Sequence, residues 1–177
     1  MFAIAATVRS LFDDYIEIVR ALPPGARVVE IGSCEGRSIV GVAIACVDRC
    51  ITFYSVESFA GDDNGTYDGW PLPSLKAYAH NVRNRFPFLW INAIFGRSEL
   101  VSKEFTDHSI DAVFIDASHS EESVRNDILC WLPKIKEGGV VFGDDWAWES
   151  VKRGVHSVFE SDRVSPSRNG FLWVVRS

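Results

Sequence analysis

Two short apolar runs in the C-terminal half of the sequence, A-V-F-I and V-V-F, are each followed by acidic residues. The first ends at Asp116, and His119 follows three residues later. The second leads to Asp144 and Asp145. If both runs are neighbouring parallel strands, their carboxyl ends lie at one edge of the sheet, where open α/β sheets bind ligands. Three carboxylates and an imidazole at one edge indicate a metal-assisted active site.

Electrostatics explains why such a cluster would attract a cation. Carboxylates that converge without a cation repel one another, and the pKa of at least one of them rises. A hard divalent ion such as Mg²⁺ removes this cost, and it would orient a substrate hydroxyl and favour its deprotonation. Asp144 and Asp145 point to opposite sides of an extended strand, so only one faces the site unless the chain turns there. The structural alternative is that Asp116 caps a loop and that the acidic pair caps the next helix.

His119 is the candidate general base of this cluster. Ser118 and Glu121 have the S-x-x-E spacing of a capping box, which predicts a helix that begins at Ser118. His119 would then occupy the first helical position, within reach of the end of the preceding strand.

A glycine-containing turn follows the first predicted strand, in the segment V-V-E-I-G-S-C-E-G-R-S of residues 28–38. Gly32 stands where the backbone leaves the strand and Gly36 where a helix begins, and the missing Cβ atoms would let a ligand lie against the main chain. The dinucleotide fingerprint G-x-G-x-x-G requires glycine where this chain has Cys34. The expected acidic residue is also displaced, to Glu57. The turn is therefore a poor cradle for a pyrophosphate.

A ligand with a ribose and an amino acid portion fits these residues better than a dinucleotide does. Glu57 could accept hydrogen bonds from both ribose hydroxyls, and Glu30 could attract an ammonium group. S-adenosylmethionine contains both parts. The alternative is that the glycines only form a tight turn and that Glu57 is a solvated strand end.

The elements that must position these residues can be predicted from hydrophobic periodicity. Apolar residues at three- and four-residue spacing predict an amphipathic helix from Val8 to Leu22, which Pro23 and Pro24 end. The expected strands are 27–31, 51–56, 89–95, 110–116, 138–143 and 170–175, and the later helices are 37–47, 75–85, 120–132 and 148–159. Residues 58–74 show no periodicity and predict a long, functional or disordered loop. The alternation predicts an open α/β sheet, mostly parallel, with an antiparallel edge at the C-terminus.

Composition narrows the class of protein. A chain of 177 residues with 47% hydrophobic content is expected to form one domain, residues 1–177. A net charge of −6 without a run of basic residues disfavours nucleic-acid binding. We expect no membrane span, because no stretch approaches the roughly 20 apolar residues that a span needs. The four cysteines lack C-x-x-C spacing, and no secretory leader is recognisable, so we expect a cytoplasmic protein with reduced thiols.

Four segments in order resemble the class I S-adenosylmethionine-dependent methyltransferases. They are E-I-G-S-C-E-G after the first strand, V-E-S after the second, F-I-D-A-S-H-S after the fourth and K-E-G-G-V-V-F-G-D-D-W at the fifth. The similar branch is a small one whose fourth strand ends in I-D-G-x-H and whose fifth follows P-G-G. Macrolide sugar O-methyltransferases and cephalosporin-hydroxylase-like proteins are similar there. The resemblance covers Leu22 to Trp146, and implies a Rossmann-like fold with seven strands, an antiparallel last strand and helices on both faces.

The resemblance also implies which residues bind the cofactor. Glu30, Gly32 and Gly36 would lie beside its methionine and sugar portions, and Glu57 on the ribose. The full implied set is Glu30, Gly32, Ser33, Gly36, Glu57, Ser58, Gly96, Ser98 and Asp116. Of these, the segment from Gly96 to Ser98 would lie near the adenine.

The metal and the base follow from the same resemblance. In the macrolide sugar methyltransferases, a D-x-x-H pair and a downstream acidic pair supply the metal ligands and the base. This implies Asp116, Asp144 and Asp145 as ligands of Mg²⁺ or another divalent cation. Asp116 and His119 would be catalytic. Asp144 differs from the branch, which has glutamate at that position, so its shorter side chain is a weaker candidate ligand.

The long loop suggests a class of acceptor. Its sequence S-F-A-G-D-D-N-G-T-Y resembles W-x-G-D-x-H-x-G-x-Y, which relatives encoded among glycan-synthesis enzymes carry after the second strand, with Phe59 and Asn64 replacing Trp and His. The matching positions are Gly61, Asp62 and Tyr67. A carbohydrate acceptor is therefore expected. Three tryptophans near the predicted edge could stack on a sugar or an aromatic acceptor: Trp70, Trp146 and Trp148.

These patterns together predict an S-adenosylmethionine-dependent O-methyltransferase that acts on a hydroxyl of a small, sugar-like acceptor with the help of a divalent cation. One alternative is a catalytically degenerate methyltransferase-like binding domain, because a single helix precedes the first strand and covers little of the acceptor site. A second alternative is an NAD-dependent oxidoreductase, which Cys34 disfavours. Completion of the site by a second chain, in a homo-oligomer, is left open.

Overall fold

The computed structural model describes residues 2–61, 71–84 and 86–177, with the backbone alone for residues 2–11. The strands are β1 (Arg27–Ile31), β2 (Thr52–Glu57), β3 (Ile91–Phe95), β4 (Ile110–Ile115), β5 (Ile135–Gly143), β6 (Ser165–Pro166) and β7 (Trp173–Arg176). The α-helices are α1 (Phe2–Ala21), α2 (Arg37–Ala45), α3 (Leu75–Ala79), α4 (Ser98–Val101), α5 (Glu121–Trp131) and α6 (Glu149–His156).

The seven strands form one sheet in the order β3-β2-β1-β4-β5-β7-β6. The first five strands in this order are parallel, whereas β7 is antiparallel to β5 and β6 is antiparallel to β7. This confirms the expected Rossmann-like architecture with a mostly parallel sheet and an antiparallel C-terminal edge. This order also places β1 and β4 side by side at the centre of the sheet. From this point successive strands are added on opposite sides, and ligands bind at such a switch point in open α/β sheets.

Both faces of the sheet are buried, which explains why the central strands are mostly apolar and do not alternate between apolar and polar residues. All six residues of β4 are buried. Helices α1 and α2 cover one face, where Tyr15, Val28 and Phe114 belong to one core cluster. Helices α5 and α6 cover the other face, where Trp131 and Val151 belong to a second cluster.

Several helices differ from the predicted ones. Helix α1 begins at Phe2 and is kinked at Phe12, whose φ of −130° and ψ of 25° are not helical. Helix α3 is short because π-helical turns over His80–Asn84 continue it. Helix α4 was not predicted, since four residues are too few to show periodicity.

The start of α5 corrects the predicted capping box. The N-cap is Ser120, whose side chain accepts a hydrogen bond from the amide of Ser123, and not Ser118. The Ser118 hydroxyl instead accepts a hydrogen bond of 3.5 Å from the amide of Ser120, as in a turn. His119 therefore lies in the loop before the helix, and its predicted placement at the first helical position is wrong.

Three of the predicted acceptor residues, Asp62, Tyr67 and Trp70, lie outside the described residues. Among the helices that the structure describes, none combines the length and the apolar character needed to cross a membrane.

Candidate functional site

The candidate site lies at the carboxyl edge of β1, β4 and β5. Ile115 pairs with Ile31 of β1 on one side and with Gly143 of β5 on the other, so the three strands end level with one another. The amide of Asp116 donates to the carbonyl of Ile31 at 2.9 Å, and the amide of Asp144 donates to that of Ile115 at 3.1 Å. This register brings the two acidic segments together, as the sequence predicted.

The chain turns at Asp145, so Asp144 and Asp145 do not continue the extended strand and Asp145 can face the site. Its φ of +55° lies in the left-handed region, which aspartate tolerates better than most residues. The carboxylate of Asp144 accepts a hydrogen bond of 2.7 Å from the amide of Asp145, and the amide of Trp148 donates to the carbonyl of Asp145 at 2.9 Å. These two bonds hold the turn and direct the Asp145 side chain back over the end of the sheet.

His119 lies between the two acidic segments. Its Nε2 atom is 2.6 Å from Oδ2 of Asp145 and 4.0 Å from Oδ1 of Asp116. The imidazole packs against the indole of Trp148, with ring centroids 4.8 Å apart. The His119 side chain is only 18% exposed, whereas Trp148 is 47% exposed at the edge of the site. The Trp146 ring packs against His156, with ring centroids 5.5 Å apart.

The donor atoms of Asp116, His119 and Asp145 lie within 4.8 Å of one another, close enough to share one cation. Burial and the nearby charges of Asp144, Glu30 and Asp145 raise the pKa of Asp116 well above its usual value, against a smaller opposite effect of His119. Burial also raises the pKa of Asp144, which lies outside the three-residue group. Two carboxylates and one imidazole are suitable ligands for a divalent cation, and its charge would offset their repulsion.

Gly32 and Gly36 both have positive φ values, of +83° and +77°. A Cβ atom on Gly32 would overlap the carbonyl oxygen of Asp116, and one on Gly36 would lie 2.5 Å from Cγ2 of Val82. The missing side chains therefore allow the turn to pack against β4 and the segment after α3. The sequence left open whether these glycines admit a ligand or only form a tight turn. The contact also places the glycine turn directly beside Asp116.

Glu57 is 3% exposed and joins two loops at the end of β2. Its carboxylate accepts backbone hydrogen bonds from Cys34 at 2.8 Å and from Phe59 at 2.9 Å. Both partners are non-glycine residues with positive φ, of 48° and 55°. Each carboxylate oxygen retains a further acceptor site, so the ribose contact of Glu57 stays a prediction. Ser58 is exposed, and its hydroxyl accepts a hydrogen bond from the amide of Ala60.

Glu30 lies beneath the glycine turn rather than on its surface. The residue is fully buried, and one carboxylate oxygen accepts a hydrogen bond of 2.7 Å from the hydroxyl of Ser38. Burial raises the pKa of Glu30 to about 7, against smaller opposite effects of hydrogen bonds from Ser38, Tyr15 and Ser33. Ser33 is 1% exposed, and its hydroxyl donates to the carbonyl of Glu30. Any attraction between Glu30 and a bound ammonium group therefore acts through the turn.

The segment from Gly96 to Ser98 follows β3 at the same edge of the sheet. The amide of Gly96 donates to the carbonyl of Glu57 at 3.0 Å, which ties this segment to the end of β2. Ser98 begins α4, and its hydroxyl accepts a hydrogen bond of 2.8 Å from the indole of Trp131. Its side chain therefore anchors α4 to α5, and any adenine contact there stays a prediction.

Sequence reasoning missed two features of the site. The hydrogen bonds between Glu57 and the backbone of Cys34 and Phe59 leave no signal in the residue types. The approach of Tyr15 to Glu30 was also missed, because Tyr15 was interpreted as part of the apolar stripe of α1. A hydroxyl-bearing residue within an otherwise apolar stripe is the signal that could have indicated it.

Comparison with known proteins identifies the family of the chain and structures that share its fold. The family model described as "Methyltransferase domain" matches residues 29–146. No curated protein sequence matches the chain. Among solved structures, the O-methyltransferase NovP has a TM-score of 0.65 at 18% identity, covering 97% of this chain and 78% of that one.

Two further structures share the fold. CalS11, a TDP-rhamnose 3′-O-methyltransferase in calicheamicin biosynthesis, has a TM-score of 0.64 at 14% identity, covering 97% of this chain and 78% of that one. The SAH-bound methyltransferase PaMTH1 from Podospora anserina has a TM-score of 0.62 at 14% identity, covering 85% of this chain and 71% of that one.

Proposed function

The chain belongs to the methyltransferase domain family whose model matches residues 29–146, and we propose that it transfers the methyl group to a hydroxyl of a small acceptor. The observation that carries this proposal is the convergence of His119 and Asp145 at the sheet edge, with Nε2 and Oδ2 2.6 Å apart. Methyl transfer to a hydroxyl requires removal of its proton, and this pair is suited to accept it. Family membership favours this activity over an NAD-dependent oxidoreductase.

S-adenosylmethionine, the methyl donor, would bind over the ends of β1, β2 and β3. The glycine turn beside Asp116 supports this placement, because it brings the ends of β1 and β4 within van der Waals contact. In this proposal Gly32, Ser33 and Gly36 line the methionine side. Glu57 and Ser58 lie on the ribose side, and the segment 96–98 lies near the adenine.

His119 acts as the general base in the proposed mechanism. Asp145 accepts a hydrogen bond from the Nε2–H of His119, so the hydroxyl proton would go to Nδ1, and the Asp145 carboxylate stabilises the positive charge that the ring gains. Trp148 covers one face of the ring and holds its orientation. The acceptor hydroxyl would lie between His119 and the cofactor, and much of the rate gain would come from the alignment of oxygen and methyl group.

Asp116 and Asp145 are the proposed ligands of a divalent cation such as Mg²⁺, with His119 within the same group of donor atoms. Burial is the largest cause of the raised pKa of Asp116, and the charges of Asp144, Glu30 and Asp145 add to it; a cation would offset that added repulsion, which supports this assignment. The cation would supply electrostatic stabilisation to a hydroxyl oxygen as it loses its proton. Asp144 contributes by fixing the turn through its hydrogen bond to the amide of Asp145.

A sugar-like acceptor is the more specific part of the proposal. It is supported by the loop resemblance described above and by CalS11, which shares the fold and is a TDP-rhamnose 3′-O-methyltransferase. Trp148, half exposed beside His119, offers a flat apolar face on which the C–H face of a sugar ring can pack.

Calorimetric titration with S-adenosylhomocysteine, followed by methyl transfer from isotopically labelled S-adenosylmethionine to a panel of deoxysugar nucleotides and simple diols, tests the function. We expect binding of S-adenosylhomocysteine and labelled O-methyl products that decrease on chelation. Absence of binding would overturn the cofactor site. Binding without transfer to any hydroxyl would instead support the degenerate binding domain, and transfer unaffected by chelation would remove the cation from the mechanism.

A further inference from the structure

Tyr15 connects the first helix to the strand that carries the glycine turn. It is 1% exposed on α1, and its ring lies against Phe114 of β4 and Phe142 of β5, with centroid distances of 4.2 Å and 5.2 Å. This packing fixes the phenol over the centre of the sheet. The Tyr15 hydroxyl therefore lies in a buried position next to β1.

Glu30 is the neighbour of the Tyr15 hydroxyl at this position. The Oε2 atom of Glu30 and the hydroxyl of Tyr15 are both buried, and neither makes a hydrogen bond of standard geometry within the described part of the chain. Glu30 is the register partner of Phe114, the residue against whose ring Tyr15 lies. Burial raises the pKa of both groups; in addition, Tyr15 lowers the pKa of Glu30, and Glu30 raises that of Tyr15 further.

A second pair of hydroxyls extends this buried polar contact. Ser55 of β2 is the register partner of Glu30, and its hydroxyl influences that of Tyr78 on α3. Both of these hydroxyls are also buried without a hydrogen bond of standard geometry among the described residues. Four of the buried polar atoms with unmet hydrogen bonds thus lie on one face of β1 and β2. Such groups are rare in folded proteins and call for a functional explanation.

We propose that Tyr15 is a positioning residue that couples the docking of α1 to occupation of the cofactor site through Glu30. The inference rests on the proposed cofactor site at the turn that follows Glu30. A ligand with an ammonium group at this turn favours the ionised form of Glu30, and an ionised acceptor strengthens the hydrogen bond from Tyr15. Linkage makes the effect reciprocal, so firm docking of α1 strengthens cofactor binding.

Other groups also face this pair from the elements packed against it. They are Ser33 of the glycine turn, Ser38 of α2, Cys46 directly after α2, Tyr78 of α3, and Asp116 after β4. Ser38 already donates to the other oxygen of Glu30, so Tyr15 is the donor placed for Oε2. Burial, then the charge of Glu30 and, less, that of Asp116 raise the pKa of the Tyr15 phenol, which keeps Tyr15 a hydrogen-bond donor.

Hydrogen exchange of the peptide that covers residues 13–21, measured with and without S-adenosylhomocysteine, tests the coupling. We expect the ligand to slow exchange about fivefold or more in the wild-type protein, in line with typical coupling energies. Tyr15→Phe keeps the ring and removes the hydroxyl, so the slowing should disappear. Tyr54→Phe is the matched control, because its hydroxyl accepts hydrogen bonds from Arg27 at the opposite end of the sheet and should leave the slowing intact.

The outcomes distinguish this coupling from the function on which it rests. Equal slowing in Tyr15→Phe, or none in a wild-type protein that binds the ligand, would overturn the coupling alone. Failure of the wild-type protein to bind S-adenosylhomocysteine would overturn the proposed function and the coupling with it.

A double-mutant cycle of Tyr15→Phe and Glu30→Gln, by urea unfolding without ligand, should show a stronger interaction between the two residues at pH 8.5 than at pH 5.5. A coupling that is the same at both pH values would overturn the pairing, because a purely structural contact does not depend on ionisation of Glu30.

Discussion

At the scale of single residues, the proposed chemistry depends on the contact between His119 and Asp145. The two residues come from different loops, and neither has its position set by a regular element. Asp145 is placed by a left-handed backbone conformation, and His119 by the loop that precedes Ser120. The residue types at this edge were predictable because aspartate and histidine followed apolar strands. The mutual orientation of the two side chains was not predictable from residue types. It depends on the turn at Asp145 and on the N-cap at Ser120.

His119→Ala should lower the methyl-transfer rate by about 10²- to 10⁴-fold, the usual contribution of a general base. The affinity for S-adenosylhomocysteine should be unchanged, because His119 is not placed in the cofactor site. His156→Ala is the control, since this residue is exposed on α6 and packs against Trp146. Single-turnover rates and calorimetry check both statements. A His119→Ala rate within twofold of wild type would remove His119 from the mechanism.

Glu30 should make stability depend on pH. Its pKa is raised from 4.5 to about 7 in the folded protein, so the folded state holds this proton more tightly than the unfolded state. The resulting stabilisation is complete below pH 4.5, falls as the pH rises through the window from 4.5 to 7, and is absent above it. The loss is on the order of 3 kcal/mol.

Urea unfolding between pH 4.5 and pH 8.5 measures this dependence. Glu30→Gln should make this dependence shallower by about that amount, because the amide does not ionise, whereas Glu137→Gln at an exposed position should follow the wild-type curve. A Glu30→Gln curve that keeps the full wild-type slope would show that the dependence comes from other groups.

At the scale of elements, the glycine turn and the start of α5 show what local sequence does and does not determine. The strand, glycine turn and helix were predicted where the structure has β1 and α2. The reason for the glycines was not predictable, because the atoms that exclude a Cβ at Gly32 belong to Asp116, more than 80 residues later in the chain. The predicted N-cap of α5 was wrong because two nearby serines, Ser118 and Ser120, are both suitable N-cap residues. The S-x-x-E spacing favoured Ser118, whereas the structure uses Ser120.

Gly32→Ala should destabilise the protein far more than Gly25→Ala. Both positions have a positive φ, of +83° and +79°, so both substitutions introduce backbone strain of about 1–2 kcal/mol. Only at Gly32 would the new Cβ overlap the Asp116 carbonyl, whereas nothing lies within 4 Å at Gly25. We expect an additional loss of about 1–3 kcal/mol at Gly32 from overpacking. Chemical denaturation compares the two variants, and equal losses would contradict the close approach of the turn to β4.

Ser120→Ala should lower the free energy of unfolding by about 1 kcal/mol, the usual effect of losing an N-cap. Ser118→Ala should change it by less than about 0.5 kcal/mol, because its hydroxyl makes only a 3.5 Å contact in a turn. Thermal or urea unfolding of both variants measures the difference. The reverse order of effects would restore the capping box that the spacing of Ser118 and Glu121 suggested.

At the scale of the whole molecule, the alternation of strands and helices was sufficient to predict an open, mostly parallel sheet. The order β3-β2-β1-β4-β5-β7-β6 was not, because periodicity does not show which strands are neighbours. Only the resemblance to methyltransferases implied seven strands, and β6 has just two residues, too few for any pattern. The sheet order matters for function, since it places the ends of β1, β4 and β5 together and so assembles residues from distant parts of the chain.

The most direct test of the proposed site is anomalous diffraction from crystals of the protein soaked with Mn²⁺ and S-adenosylhomocysteine. We predict one anomalous peak at coordination distance, about 2.0–2.6 Å, from the carboxylates of Asp116 and Asp145, with the S-adenosylhomocysteine sulfur nearby. A bound S-adenosylhomocysteine with no anomalous peak between these two side chains would contradict the metal-assisted site.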